Sequence, residues 1–167
     1  MDNVKNYVII MCDSLKKKLT ILSGIILENH KQQMICTADK FDEEAFEATL
    51  TRKDEFIEQL DELDSGFDSL YDRIKDELKE HPEEYREEIA QMKQLIADIT
   101  QKSMEIQLGE KRNESLVMKK LSEARMEIHH TKNVGKAASS YYQNMQGYRE
   151  STSQFVDSKK YFLKIQK

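Results

Sequence analysis

Only one pair of residues in the chain has the Glu-x-x-His spacing with which helical bundles bind metal ions. Glu127 and His130 have the Glu-x-x-His spacing that diiron bundles place on two facing helices, but the sequence contains this spacing once. His129 and His130 are adjacent, so on a helix they diverge by about 100° and cannot chelate one ion together. The sequence also has no glycine-rich phosphate loop and no nucleophile beside a base. We therefore expect no metal, no cofactor and no enzymatic activity.

The cysteines and the apolar runs indicate where the protein resides. Cys12 and Cys36 are 24 residues apart in one predicted helix, which separates them by roughly 36 Å and prevents a disulfide between them. We expect both to be free, buried thiols in a reducing compartment. The apolar stretch 7–11 is too short for a secretory signal, and no run approaches the ~20 residues of a membrane span. The chain is therefore predicted to be cytoplasmic, without stable membrane insertion.

The composition favours long helices. The chain has 167 residues, of which 34% are charged, and it contains 5 Gly, 1 Pro and no Trp. A sheet or barrel needs more turn-forming residues than this. The formal net charge of −5 argues against nucleic acid as a partner, because a phosphate backbone is bound by a basic stripe. We predict an all-α protein.

Three segments carry apolar residues at alternating spacings of three and four, the pattern of a coiled coil or helical bundle. We predict helices at about 4–38, 42–80 and 82–133, packed antiparallel in one domain that spans 1–134. A homo-oligomer through these seams is possible. The seams are Val8, Cys12, Leu15, Leu19, Leu22 and Ile26; then Phe46, Leu50, Lys53, Ile57, Leu60, Asp64, Phe67, Tyr71, Ile74 and Leu78; then Tyr85, Ile89, Met92, Ile96, Ile99 and Ile106, followed by Val117, Leu121, Ala124 and Ile128.

The second helix has clear boundary signals. Asp42 can accept hydrogen bonds from the first free amides, and Phe41 and Phe46 occupy the positions of a hydrophobic staple. His81-Pro82 ends the helix, because a residue before proline is forced out of the helical region, and proline suits the first turn of the next helix. The sequence predicts a helical hairpin at this point.

Polar residues interrupt all three seams. We expect Lys53 and Asp64 to fix the register or to reach solvent, and the first seam weakens from Asn29 onward. The polar stretch 107–115 predicts a stutter or a bend in the third helix. Because the third helix is predicted to be longer than the second, its end should overhang and leave apolar surface uncovered.

The C-terminal segment 135–167 is basic and aromatic. It has six basic and two acidic residues, and four of the seven tyrosines lie there. Aromatic residues in a weakly periodic segment predict a recognition element, which we expect to be a partly flexible tail. The alternative is that these residues fold back on the bundle.

Two parts of the sequence resemble FlgN-type flagellar export chaperones. The acidic stretch 41–74 is similar to the core of that family, with a lysine-containing run at 52–60 (RKDEFIEQL). The paired-tyrosine stretch 141–145 (YYQNM) and the element 155–160 (FVDSKK) look like the tails of Gram-positive members. The resemblance implies a cytoplasmic, non-enzymatic chaperone that holds hook-filament junction proteins and delivers them to the flagellar export gate.

The resemblance also implies where the client binds. In the family, the end of the last helix and the segment after it bind the C-terminal helix of the client. Carried onto this sequence, the predicted protein-binding residues are Val117, Leu121, Ala124, Ile128, Tyr141, Tyr142, Met145 and Tyr148. The alternative function is a structural or signalling bundle that oligomerises through its seams and has no export client.

Overall fold

The protein is all-α, as predicted. The computed structural model describes residues 2–123 and 135–146. Helix α1 spans Asp2–Thr37, α2 spans Glu43–Glu80, a 3-10 turn spans Pro82–Tyr85, and α3 spans Arg86–Glu123. Residues 135–146 are helical throughout and are named α4. The first two helices begin and end close to the predicted positions, whereas the predicted extension of the third to 133 lies outside the described residues.

Hydrogen bonds between α1 and its neighbours define the directions of the long helices. Lys18 contacts Asp64, and Arg52 contacts Glu28. Higher residue numbers in α1 therefore pair with lower residue numbers in α2, so the two helices are antiparallel. The side chain of Asn113 donates to the backbone carbonyl of Asn29, and Lys120 donates to that of Ala38. Helices α1 and α3 therefore run parallel, and α1 packs along both α2 and α3.

Helix α4 turns back along α3. Tyr141 contacts Glu110, whereas Gly135 lies beside Leu121, so α4 runs antiparallel to α3. The Nζ atom of Lys53 in α2 lies 4.2 Å from the centroid of the Tyr141 ring. At this end of the molecule the described helices therefore form an up-down-up-down arrangement of four.

The local signals at the ends of α2 act as predicted. The carboxylate of Asp42 accepts a hydrogen bond from the backbone N–H three residues later at 3.1 Å. The rings of Phe41 and Phe46 lie 5.4 Å apart, which completes the staple. Helix α2 ends at Glu80 with His81 as its C-cap, and Pro82 starts the 3-10 turn.

Helix α3 continues without a break through 107–115. The predicted stutter is absent because polar residues take the core positions that apolar residues leave, whereas the bend stays a prediction. Ile106, Glu110, Asn113 and Val117 follow one another at spacings of four, three and four, and all four are buried. The seam is therefore continuous, and only its chemistry changes.

The expected uncovered end of α3 is not found in the described residues. Helices α2 and α3 each contain 38 residues, so neither overhangs the other there. Val117 is fully buried and Leu121 packs against the core. The end of α1 and the start of α4 lie beside this part of α3, as the contacts of Lys120 with Ala38 and of Leu121 with Gly135 show. The prediction of spare apolar surface at Val117 and Leu121 is wrong.

Candidate functional site

A layer of polar side chains crosses the core where the four helices meet. Lysine and glutamate are rarely buried without a partner, yet this layer contains one of each, and every side chain in it is at most 4% exposed. We call this set the polar layer. It comprises Gln32 from α1, Thr49 and Lys53 from α2, Glu110 and Asn113 from α3, and Tyr141 from α4.

Lys53 and Glu110 form a buried ion pair at the centre of the polar layer. The Nζ atom of Lys53 lies 2.7 Å from Oε1 and 2.9 Å from Oε2 of Glu110, and it donates a further hydrogen bond to Oε1 of Gln32 at 2.9 Å. The hydroxyl of Tyr141 donates to Oε1 of Glu110. Both charges are thus paired and hydrogen-bonded, which is the condition under which a buried ion pair is tolerated.

Amide side chains connect this ion pair to α1. The Nδ2 atom of Asn113 donates to Oε1 of Gln32 at 3.1 Å and to the backbone carbonyl of Asn29 at 2.9 Å. The Nε2 atom of Gln32 donates to Oγ1 of Thr49 at 3.0 Å. A β-carbon at Gly109 would lie 3.1 Å from Nδ2 of Asn29, so glycine permits this close approach of α1 and α3. The polar layer therefore fixes the axial register of α1, α2 and α3 relative to one another.

Burial shifts the pKa values of Lys53 and Tyr141. Desolvation lowers the pKa of Lys53 to about 8, although the Glu110 carboxylate acts in the opposite direction. Desolvation, with the nearby Glu110 charge, raises the pKa of Tyr141 well above its usual value. At neutral pH the lysine is therefore charged and the phenol keeps its proton, so Tyr141 is the donor and Glu110 the acceptor.

Helix α4 docks through one face. Ala138, Tyr141, Tyr142 and Met145 have the spacing i, i+3, i+4 and i+7, and none is more than 8% exposed. The rings of Tyr141 and Tyr142 pack edge to face with centroids 5.2 Å apart. This spacing is that of an amphipathic helix lying in a groove. The intervening residues Lys136, Ser139, Ser140, Gln143 and Asn144 are exposed.

The surface that receives α4 has a charged floor and polar edges. Lys53 and Glu110 lie beneath Tyr141, Leu121 lies beside the start of α4, and Asp54 is hydrogen-bonded to Asn144. We call this surface of α2 and α3 the α4 groove. It accepts a short amphipathic helix and offers it both apolar contacts and a buried hydrogen-bond acceptor.

The structure places the predicted protein-binding residues in the core or leaves them undescribed. Tyr141, Tyr142 and Met145 are buried because 135–146 folds back on the bundle, which is the alternative that the sequence leaves open for this segment. Whether they bind a client stays a prediction. Of the remaining residues, Val117 is buried in the core and Leu121 is partly buried against it, whereas Ala124, Ile128 and Tyr148 lie outside the described residues.

A second, partly buried ion pair lies nearer the other end of the bundle. Nζ of Lys18, which is 1% exposed, contacts Oδ1 of Asp64 at 2.7 Å, and desolvation lowers the pKa of Lys18. Asp64 thus interrupts the apolar seam of α2 in order to pair with α1. The free thiols of Cys12 and Cys36 are buried, as predicted, and burial raises the pKa of each to about 11.

Two further features of the described surface could bind a ligand. Glu77, Glu80 and His81 present ligand atoms within 4.8 Å of one another at the C-terminus of α2, a geometry that could hold a divalent cation. Between α1 and α2, on the side away from the core, two clefts are lined partly by apolar side chains. One cleft contains Ile21 and Leu63, and the other contains Met34, Ile35, Ala45 and Ala48.

Within the described residues, none of the helices combines the length and the apolar character that crossing a membrane requires. No protein-family model, curated protein or solved structure matches the chain. The resemblance to FlgN-type chaperones therefore remains a prediction from the sequence.

Proposed function

We propose that this protein is a cytoplasmic, non-enzymatic chaperone of flagellar export substrates. It binds the C-terminal helix of hook-filament junction proteins in the α4 groove and delivers these clients to the flagellar export gate. The observation that carries the proposal is the docking of α4, because the chain itself supplies an amphipathic helix that fits this groove. A client helix with anchors at i, i+3, i+4 and i+7 would use the same contacts.

The charged floor of the α4 groove supports exchange of one helix for another. An apolar floor would be strongly destabilised by exposure to water when α4 leaves. Lys53 and Glu110 instead regain hydration, which offsets part of the interaction energy that the departure of Tyr141 removes. The free energy needed to release α4 is therefore smaller than the apolar area buried by its docking face alone would indicate.

Sequence features agree with this proposal. The segment that resembles the tails of FlgN-type chaperones, 141–145, supplies three of the four docking residues of α4. The resemblance and the docking geometry therefore direct attention to the same surface. In this proposal Tyr141, Tyr142 and Met145 regulate access to the groove, and a client helix takes their place.

Two matched variants test the proposal. Ala138→Arg places a long charged side chain at a fully buried position of α4, whereas Ser140→Arg adds the same side chain at an exposed position. Fluorescence anisotropy would measure the affinity of each full-length variant for a labelled C-terminal helix of a hook-filament junction protein. Because apparent affinity scales with the fraction of open groove, we expect Ala138→Arg to bind about tenfold tighter or more and Ser140→Arg to match the unchanged protein.

The result that contradicts the proposal is equally specific. Circular dichroism first establishes that both variants keep their helices. If the unchanged protein and the folded Ala138→Arg variant both fail to bind the client helix, the groove is not a client site. Weaker binding by Ala138→Arg than by Ser140→Arg would instead mean that α4 is itself part of the binding surface.

A structural bundle that oligomerises is the second candidate, and one observation favours it. The two partly apolar clefts between α1 and α2 lie on the outer side of the molecule, and Met34 at the margin of one is 73% exposed. Sedimentation equilibrium of the full chain and of a Met34→Glu variant tests it. A dimer that the substitution dissociates would favour this candidate, and a monomer in both cases would exclude it.

A further inference from the structure

The polar layer specifies what kind of helix the α4 groove accepts. Glu110 is 1% exposed and is paired with the charged Lys53, so its carboxylate is an acceptor only. Lys53 uses its protons on the two oxygens of Glu110 and on Gln32, which leaves it no donor for an incoming helix. An occupant of the groove must therefore supply a donor to Glu110 and offer an apolar or aromatic face to Lys53.

Tyr141 meets both requirements with one side chain. Its hydroxyl donates to Oε1 of Glu110, and its ring lies 4.2 Å from Nζ of Lys53, within the range of a cation–π contact. Phenylalanine would keep the ring contact but leave the buried carboxylate oxygen without this donor. A leucine or methionine would provide neither the donor nor the ring.

We infer that the α4 groove selects partner helices that place a tyrosine over the Lys53–Glu110 pair, with a small residue three positions earlier and an apolar residue four positions later. The inference rests on the proposed function and adds the chemical class of its ligand. The small residue corresponds to Ala138 and the apolar residue to Met145, both of which are fully buried. Glu110 is then the residue that determines specificity.

A site built to bind a hydroxyl discriminates strongly against a partner that lacks one. The reason is that the polar groups of the site remain buried and incompletely paired when the hydroxyl is missing. An apolar pocket gives much weaker discrimination between two rings of similar size. We therefore expect a tyrosine-bearing helix to bind at least about tenfold tighter than the same helix with phenylalanine.

Designed helical peptides are the probe. Each displays the docking residues of α4 at the spacing of 138, 141, 142 and 145, and the two differ only by tyrosine or phenylalanine at the position of Tyr141. Titration calorimetry measures both peptides with the unchanged full-length protein and with a Lys53→Met/Glu110→Leu protein. We expect at least about a tenfold preference for tyrosine with the former and none with the latter, whose apolar floor no longer needs a donor.

The outcomes separate the two levels of the proposal. Equal binding of both peptides to the unchanged protein overturns the inference and leaves the α4 groove as a helix-binding site. Failure of both peptides to bind even the Ala138→Arg protein overturns the inference and also the proposed client site. A tyrosine preference that persists in the double variant overturns the assignment to Glu110.

Two single substitutions in the full chain test the inference should the double variant not fold. Tyr141→Phe removes the hydroxyl that binds Glu110, whereas Tyr142→Phe removes a buried hydroxyl that has no hydrogen-bond partner among the described residues. Hydrogen exchange reports the docking of α4. We expect amide protection in 135–146 to fall at least about tenfold with Tyr141→Phe and to change little with Tyr142→Phe. Equal effects of both would overturn the inference.

Discussion

Removal of one member of the Lys53–Glu110 pair should destabilise the protein far more than removal of both. Lys53→Met leaves the Glu110 carboxylate buried without its counter-charge, and Glu110→Leu does the same to the ammonium group. Both side chains are at most 1% exposed, so water cannot compensate without opening the bundle. Each single substitution is expected to cost about 3–5 kcal/mol of unfolding free energy.

The double variant Lys53→Met/Glu110→Leu removes both charges together. Replacement of a buried ion pair by apolar residues of similar volume is about neutral or stabilising. The hydroxyl of Tyr141 loses its acceptor in this variant, which costs about 1–3 kcal/mol and is relieved by adding Tyr141→Phe. The expected coupling energy between the two charged residues is therefore at least about 3 kcal/mol.

Urea unfolding followed by circular dichroism at neutral pH measures these differences. The control is the ion pair of Lys75 and Asp72, which are 3.7 Å apart and 42% and 71% exposed. Its disruption by Lys75→Met should change stability by less than about 0.5 kcal/mol. The reasoning is refuted if either single substitution at the buried pair costs less than about 1 kcal/mol, or if the double variant loses the sum of the two single effects.

Two further predictions concern helix packing and alkaline stability. Gly66→Ala should stabilise the protein by about 1 kcal/mol, because the new β-carbon would meet no atom within 4 Å. Gly24→Ala should stabilise it less, because the new β-carbon would lie 2.8 Å from the ring of Phe56. Equal urea midpoints for the two variants would contradict this difference. Burial raises the pKa of the Cys12 and Cys36 thiols in the folded state to about 11, against 9.0 for an unperturbed thiol. The two protonated thiols therefore contribute fully to the free energy of unfolding below about pH 9, and this contribution is lost as the pH rises through about 11. The loss is at most about 3 kcal/mol for each thiol. A Cys12→Ala/Cys36→Ala variant should show a flatter decline over this range, and an equal decline would contradict the assignment.

Much of the fold could be predicted from local sequence chemistry. Asp42 and the Phe41–Phe46 pair marked the start of α2, and His81-Pro82 marked its end, because caps and proline act within a few residues of their own position. The apolar seams predicted long helices for the same reason. These signals need no knowledge of which helices meet.

The polar layer was harder to predict because it depends on contacts between distant segments. The hairpin at 81–82 pairs residues whose numbers add up to about 163, which places Lys53 opposite Glu110. The hairpin between α1 and α2 pairs Lys18 with Asp64 in the same way. Lys53 and Asp64 were predicted to fix the register or to reach solvent, and the structure shows both paired across a helix interface, Lys53 fully buried and Asp64 partly buried. Charge complementarity across each hairpin is the signal that would have revealed both pairs.

The docking of α4 could not be decided from the sequence. Ala138, Tyr141, Tyr142 and Met145 have the spacing of one helical face, but such a face can cover its own bundle or bind another protein. The choice depends on whether the bundle offers a groove with an acceptor for Tyr141. That groove exists only once α2 and α3 have brought Lys53 and Glu110 together.

Hydrogen exchange of the full-length protein, alone and with the C-terminal helix of a hook-filament junction protein, tests whether a client helix displaces α4 from its groove. We expect the client helix to bind, amides in 135–146 to lose protection as α4 leaves its groove, and α2 and α3 to gain protection around Lys53 and Glu110. Binding that leaves the protection of 135–146 and of these two regions unchanged would contradict this expectation, as would the absence of binding.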